Sequence, residues 1–355
     1  MSRISRLREV LHRHDLNHFI VTHLPNIRYL CGFSGTAGFL LITPRKTRLF
    51  TDFRYQEQAS QQVHDAEVVA YRDDLIKELK RRSLKLADRI GFEAQSLDVA
   101  AYQAFQAVLG PSLVWIPTEK MLEKVAAVKE PLEIEKHRRA AQITDAVFAD
   151  LLKLIAPGVC ELDISAEISY LHKKKGASGD AFPSIVASGV RSALPHGIAS
   201  EKIIEKGDLV TIDMGCVYDG YTSDLTRTVV AGKASQKAAT IYSIVLEAQC
   251  SAIAAARPGM KAKELDGVAR GIIQEAGYGD YFGHGLGHGL GIEVHAEPRL
   301  NVQSLDILQP GHVFTIEPGI YLPDFGGVRI EDDVCLTASG CEVLTKSPKD
   351  LIEIN

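Results

Sequence analysis

Thr211-Ile212-Asp213-Met214-Gly215 and Thr222-Ser223-Asp224-Leu225-Thr226 flank a loop from Val217 to Gly220, and this stretch decides the fold. Apolar and β-branched residues crowd both flanks, and glycine and aspartate sit between them, so the stretch reads as a β-hairpin. Folding the four-residue loop about its midpoint sets Asp213 directly across from Asp224. Directly opposed side chains have Cβ atoms roughly 4.5 to 5.5 Å apart, a separation at which two acids can share a cation.

A second hairpin repeats the device. Phe314-Thr315-Ile316-Glu317-Pro318-Gly319 and Val328-Arg329-Ile330-Glu331-Asp332 flank a five-residue loop, Leu322 to Gly326, centred on Asp324, which sets Glu317 across from Glu331. Like charges opposed on a sheet destabilise it, and an unpaired buried carboxylate is costlier still, so four acids inside apolar strands call for a counter-charge. Between the hairpins runs Gly283-His284-Gly285-Leu286-Gly287-His288-Gly289-Leu290-Gly291. His288 is the expected imidazole ligand, with flanking glycines that let the backbone pack against a cation, and His284 takes a supporting or structural place. Four carboxylates and one imidazole balance about two divalent ions with mostly hard oxygen donors.

Three further residues suit work beside such ions. His196, in Ala193-Leu194-Pro195-His196-Gly197, and His295, in Glu293-Val294-His295-Ala296, are expected to touch substrate, because an imidazole near a polarised carbonyl can donate to an oxyanion and shuttle protons. Arg329 shares a strand face with Glu331 and is expected to hold that carboxylate by a bidentate hydrogen bond.

Outward from these motifs, 355 residues suggest two domains. In the first third, strands are expected at 19–21, 39–42, 48–51, 68–70 and 113–116, with helices near 4–14, 74–87 and 98–109, an α/β domain closing near Pro117. The expected domains are 1–122 and 123–355. Pro131 then opens a long helix over 132–155 that Pro157-Gly158 ends. Pro157-Gly158 ahead of Glu161-Leu162-Asp163 recurs as Pro258-Gly259 ahead of Glu264-Leu265-Asp266, a weak internal repeat whose two halves would enclose a site.

Composition excludes several classes. A net charge of −5 with no basic tail argues against a nucleic-acid partner. No apolar run approaches the ~20 residues that span a bilayer, and the start of the chain lacks a signal-length apolar run, so no membrane is expected and the location is expected to be cytoplasmic. Six cysteines without CxxC pairing read as buried free thiols. The glycine-rich run follows a helical segment and carries histidines, unlike either phosphate-binding motif, so no nucleotide site is expected.

The order IDMG, a second Asp eleven residues on, GHGLG ahead of a VH, IEPG and RIED closely resembles the pita-bread metallopeptidases, the family of methionine aminopeptidase, aminopeptidase P and prolidase. That similarity spans about residues 123 to 355. The first third is similar to the creatinase-type domain through Asn26-Ile27-Arg28-Tyr29-Leu30-Cys31-Gly32-Phe33-Ser34-Gly35 and Thr51-Asp52-Phe53-Arg54-Tyr55. The resemblance implies an α/β creatinase-like N-terminal domain plus an α+β pita-bread catalytic domain with a pseudo-twofold repeat. It implies Asp213, Asp224, His288, Glu317 and Glu331 as ligands of two divalent ions, manganese or cobalt first and zinc third, with His196 and His295 on the substrate side.

The activity so implied is hydrolysis ahead of proline in Xaa-Pro peptides or dipeptides by a dinuclear metal-activated water, Glu317 taking its proton, in a homodimer. Arg299, beside the site, then suits the free carboxylate of a dipeptide. One departure is visible: the family's usual His-Glu-x-Pro is here His295-Ala296-Glu297-Pro298, which turns Glu297 to the opposite strand face. A creatinase-like amidinohydrolase works without metal and does not require the five ligands. A catalytically silent binding module of the same fold commonly loses them, and all five are present here.

Overall fold

The computed structural model describes residues 2–72, 75, 78–79 and 89–354. The helix expected over 74–87 falls mostly outside them. The chain divides into two compact units, Met1–Ala126 and Ala127–Asn355, against the expected division at 122. The short helix Met121–Ala127 accounts for the difference. Glu123 Oε1 accepts from Asn26 Nδ2 at 2.8 Å and the carbonyl of Val125 from the Tyr29 hydroxyl at 3.4 Å, tying that helix to the first unit.

The first unit is built on one six-stranded sheet in the order β4-β3-β2-β1-β5-β6. Its strands are β1 (His18–Val21), β2 (Phe39–Ile42), β3 (Thr47–Asp52), β4 (Glu67–Tyr71), β5 (Arg89–Glu93) and β6 (Val114–Thr118). Sequence reasoning missed β5, although it lies between β1 and β6 and pairs parallel with both. Charged ends and a central glycine hide its alternation, yet Gly91 is required there, since a Cβ would come within 2.6 Å of the Phe19 ring. Also missed was the eight-residue helix Leu24–Cys31, which has no side-chain cap and ends at Gly32 in a left-handed conformation, φ 82°.

In the second unit the expected long helix is α1 (Pro131–Leu151), four residues shorter at its end than the sequence suggested. Glu133 Oε2 accepts from the Glu130 amide at 2.9 Å, closing its first turn, and Pro131 sits where its missing N–H costs nothing. α2 (Glu161–Lys174) follows, and the pair packs on a sheet ordered with β12 (Leu225–Ala231), β9 (Leu209–Met214) and β8 (Ile185–Ser188), with β7 (Gly179–Asp180), β10 (Cys216–Tyr218) and β11 (Tyr221–Thr222) alongside. The second half repeats the plan with α3 (Gln236–Ala255) and α4 (Ala262–Glu275). They pack on β15 (Val313–Ile316) and β18 (Asp332–Thr337), sheet neighbours of β13 (Gly287–Gly289) and β14 (Ala296–Leu300), and on the hairpin β16 (Gly319–Leu322) and β17 (Gly326–Arg329).

The repeat is real at its Pro-Gly junctions. Gly158 and Gly259 are both left-handed, φ 97° and 83°, and donate to Ile204 and Leu308 respectively, each at 2.8 Å. The next amide pair shows the true equivalence: Glu161 donates to the Lys202 carbonyl and Ala262 to that of Asp306. Glu161 therefore corresponds to Ala262, and the match between the two Glu-Leu-Asp triplets is coincidental.

Two composition-based expectations change. Among the described residues α3 is long and apolar enough to cross a membrane, but Ala238, Ile241, Tyr242, Val245, Ala248 and Ala252 are buried in the second-half core, which accounts for its apolarity. The cysteines are all free, yet only Cys31, Cys216 and Cys335 are buried and Cys250 is exposed.

Candidate metal centre

The first hairpin turns more tightly than its sequence suggested. Asp219 and Gly220 both have positive φ, 45° and 84°, which makes a two-residue turn whose twist matches the strands. Tyr218 pairs with Tyr221, Met214 with Leu225 and Asp213 with Thr226, so Asp213 and Asp224 are diagonal neighbours, not directly opposed. The slip is two residues. Because side chains alternate with period two, both acids keep the same face. In the second hairpin the register agrees with expectation: Ile316 pairs with Asp332 and Gly319 with Arg329, leaving Glu317 opposite Glu331.

Neighbouring strands supply the rest of the cage. The Glu331 amide donates to Thr226 at 3.1 Å and the Glu317 amide to Leu286 at 2.8 Å, which pins the acids to the first hairpin and the glycine-rich run. His288 lies on β13 with Nε2 3.6 Å from Asp224 Oδ2 and 3.4 Å from Glu317 Oε1. Its Nδ1 faces the Gly289 carbonyl at 3.2 Å, leaving Nε2 available as a ligand. The sequence suggested that the flanking glycines let the backbone pack against a cation, but what they accommodate here is neighbouring backbone. A Cβ at Gly287 would strike the Thr315 carbonyl and one at Gly289 the Glu297 carbonyl, each at 2.1 Å, so these positions let adjacent strands close on the histidine.

Asp213 Oδ1, Asp224 Oδ1 and Glu331 Oε1 are buried with no hydrogen-bond partner among the described residues. Orphaned carboxylate oxygens converging on an imidazole fit divalent ions. Atoms of Asp224, His288 and Glu331 lie within 4.8 Å of one another, as ligands of one ion do. The electrostatics agree. Burial, then the neighbouring carboxylates, hold Asp224 and Glu331 well above the usual carboxylate range, and burial is the main cause that pushes Glu317 to about 7. Burial also lowers His288 to about 3, so it is a neutral imidazole at ordinary pH.

Arg329 departs from its expected role. Its guanidinium reaches across the cage to Asp213 Oδ2 at 2.6 Å and donates to Thr226 Oγ1 at 3.0 Å, while the Thr226 hydroxyl donates to Glu331 Oε2 at 2.6 Å. Glu331 is thus held through Thr226, because the guanidinium is drawn to the second carboxylate facing it. Sequence reasoning missed this threonine. It also missed Thr315, which donates to Glu317 Oε1 at 3.1 Å, Asp333, whose carboxylate receives the Asp224 amide at 3.0 Å, and Tyr321, which bridges His284 Nε2 and Arg329 at 2.8 and 2.9 Å. Only their polarity inside apolar strands could have flagged them.

A cavity of about 440 Å³ opens over the centre, lined by all five candidate ligands and by His196, His284, His295, Arg299 and Arg329. His196 and His295 are exposed, and the His295 ring lies edge-on to His288 with centroids 4.3 Å apart. The Arg299 guanidinium has no hydrogen-bond or ion-pair partner among the described residues, although its amide donates to Asp306 at 3.4 Å. Glu297, the departing residue, is buried and is not part of the cavity lining.

Fold and donor set together define a two-domain metallohydrolase. The sequence matches Metallopeptidase family M24 over residues 135–338 and the Creatinase/Prolidase N-terminal domain over residues 3–128. The chain belongs to metallopeptidase family M24 and is a metal-dependent hydrolase. It is 39% identical to the Xaa-Pro dipeptidase of Pyrococcus horikoshii, covering 99% of this chain and 98% of that one. Among solved structures it is similar to the Xaa-Pro dipeptidase from Bacillus anthracis, with TM-score 0.95 and 44% identity over 99% of this chain and 98% of that one. It is also similar to the X-Pro aminopeptidase from Thermotoga maritima, with TM-score 0.90 and 38% identity over 98% and 100%.

Proposed function

We propose that this protein hydrolyses the bond between an N-terminal residue and a following proline, acting on Xaa-Pro dipeptides. Asp213, Asp224, His288, Glu317 and Glu331 hold two divalent ions, with the unit Ala127–Asn355 doing the catalytic work and Met1–Ala126 serving as the creatinase-like domain. The observation that carries this reading is the set of carboxylate oxygens around His288 with no partner among the described residues, beside the Arg299 guanidinium, which has none among them either. Bound ions supply Lewis acidity, acidifying a water and polarising the scissile carbonyl. Mostly oxygen donors favour manganese or cobalt, with zinc third. Unpaired thiols support a cytoplasmic location, and the resemblance to Xaa-Pro peptidases supports a homodimer.

The protein's own groups divide the remaining work. Glu317 accepts the proton of the attacking water, placed for it at the cavity wall with Oε1 held by the Thr315 hydroxyl at 3.1 Å. His295, lowered in pKa by partial desolvation against the cavity wall and then by Arg299, donates to the oxyanion, and His196 assists the departing prolyl nitrogen. Arg329 acts on the acids and not on substrate, holding Asp213 directly and Glu331 through Thr226. Replacing either histidine with alanine is expected to lower kcat by about a hundredfold with metal content unchanged, as loss of an oxyanion donor at His295 or of a general acid at His196 does. Full activity in a variant removes that residue's role.

Arg299 sets substrate length. Two parallel hydrogen bonds to a dipeptide carboxylate satisfy its guanidinium, whereas a peptide extended beyond proline has no carboxylate there. The metal-loaded protein is therefore expected to prefer Ala-Pro to Ala-Pro-Ala, and Arg299→Ala should raise KM for Ala-Pro about tenfold or more while sparing Ala-Pro-Ala. Equal losses on both peptides would rule out the clamp and leave the broader aminopeptidase activity in place.

A further inference from the structure

Glu161, the first residue of α2, is fully buried yet takes no part in the metal centre. Its carboxylate accepts five hydrogen bonds. Oε1 receives the Ser188 amide at 2.7 Å and its hydroxyl at 2.8 Å. Oε2 receives Arg191 Nε at 3.1 Å, the Ser200 amide at 3.0 Å and the Ser200 hydroxyl at 2.8 Å. Ser188 and Ser200 are the two ends of the segment that carries Pro195 and His196 to the cavity wall. One carboxylate therefore fastens both ends of that loop.

Arg191 extends the grip inward. Its NH2 group donates to the Ile198 carbonyl at 2.6 Å, and the Ile198 amide donates to the His196 carbonyl at 2.9 Å, so the chain of bonds from Glu161 ends on the histidine's own backbone. Apolar burial contributes little in between, since Val190, Leu194 and Ile198 are exposed. Other ties come from the far side, where the Ser192 hydroxyl accepts the Gly327 amide at 2.9 Å and Arg329 donates to Pro195 at 3.1 Å. A loop so exposed is held by polar contacts or not at all.

We propose that Glu161 is the positioning residue for His196, holding the 188–200 loop so that the imidazole stays over the cavity. Its structural counterpart in the other half is Ala262, so the repeat does not require an acid there. That half braces its own histidine-bearing run from a different turn. Asp266 accepts the Leu286 amide at 3.0 Å and Arg270 Nε at 2.7 Å, and Arg270 donates to the His284 carbonyl at 2.7 Å. Carboxylate charge matters at Glu161, because all its neighbours donate. In Glu161→Gln the amide nitrogen would face at least one N–H that can only donate wherever it lay, Ser188 on one side or Arg191 and Ser200 on the other, leaving it without an acceptor.

The inference rests on the peptidase reading only for the role of His196, so two readouts are needed. In the first, amide hydrogen exchange of the metal-loaded protein without substrate is expected to quicken at least tenfold across 189–199 in Glu161→Gln, while α1 and β9 stay protected. In the second, kcat on Ala-Pro is expected to fall about tenfold in Glu161→Gln with metal content unchanged, since displacement of about 1 Å can cost up to a hundredfold. In a His196→Ala background the same change should cost less than about twofold. Glu161→Asp, which keeps the charge, should recover part of the loss. Should Glu161→Gln fail to fold, Ser200→Ala, which removes one hydroxyl at the far end of the loop, should show the same non-additivity with a smaller loss. Losses that multiply in the double variant, or unchanged exchange across 189–199, would overturn the proposal. Absence of wild-type turnover on Xaa-Pro peptides would instead overturn the peptidase reading, and the exchange result would still report on the loop.

Discussion

Asp224→Asn is expected to lower kcat/KM by more than about a hundredfold and, in the same protein, to raise the melting temperature of the metal-free form. Both effects have one cause. Asp224 is 5% exposed, its Oδ1 has no partner among the described residues, and its Oδ2 lies 3.6 Å from His288 Nε2. Burial and then Glu331, Asp213 and Asp333 all work against its charge. With ions bound, that charge is needed; without them, it only repels its neighbours. Asparagine keeps the size and the backbone amide bond to Asp333 while removing the charge. Steady-state rates with added manganese, metal analysis and thermal melts of the chelated protein test the pair of effects. Retained turnover with full metal content would exclude Asp224 as a ligand, whereas lost turnover with a lower apo melting temperature would mean damage to the fold.

Removing the metal should expose a contribution from Glu317 that falls as pH rises. Glu317 has a folded-state pKa of about 7 against an ordinary 4.5, through burial first and Asp213 next. A raised folded value means that the unfolded chain loses its proton first. The contribution of this carboxyl to the apo protein is therefore full below pH 4.5, is lost between 4.5 and about 7, and stays lost above that. His137, His284, His288 and His312, lowered chiefly by burial to between about 3 and 4, pull the other way below pH 6.5. At about 1.4 kcal/mol per pKa unit, this carboxyl alone is worth roughly 3 kcal/mol, and Asp224 and Glu331 shift in the same direction. Divalent ions should cancel the trend, since they bind the ionised acids and favour the folded state. Thermal melts of the chelated wild-type protein and of Glu317→Gln at pH 5 and pH 8, each repeated with manganese, measure it as the difference between the two proteins, in which the histidines cancel. A melting-temperature difference between Glu317→Gln and wild type that is the same at pH 8 as at pH 5 would show that the acids do not crowd one another without metal.

What the chain alone determined is what depends on local pattern. Period two in the strands is enough to put Asp213 with Asp224, and Glu317 with Glu331, on common faces, and parity survives a slip of two residues. The Pro-Gly junctions announced the repeat because a left-handed residue is needed at each, while the Glu-Leu-Asp triplets misled because chance recurrence looks the same in one dimension. Register at the first hairpin turned on the positive φ of Asp219 as well as Gly220. A four-residue loop and a two-residue turn read alike until the backbone is seen. Strand β5 escaped because Gly91 is explained by Phe19, a contact between distant parts of the chain.

Partner choice was decided only by tertiary structure. Arg329 is two residues from Glu331 in sequence, yet its guanidinium points across the cage to Asp213, with Thr226 completing the link to Glu331. The glycines around His288 admit neighbouring strands, and Glu161 finds its five donors far along the chain. Each of these depends on which buried donors and acceptors end up within about 3 Å of one another. Sequence spacing limits which side chains share a face, but hydrogen bonding is short-ranged, and only the closed fold brings those atoms together.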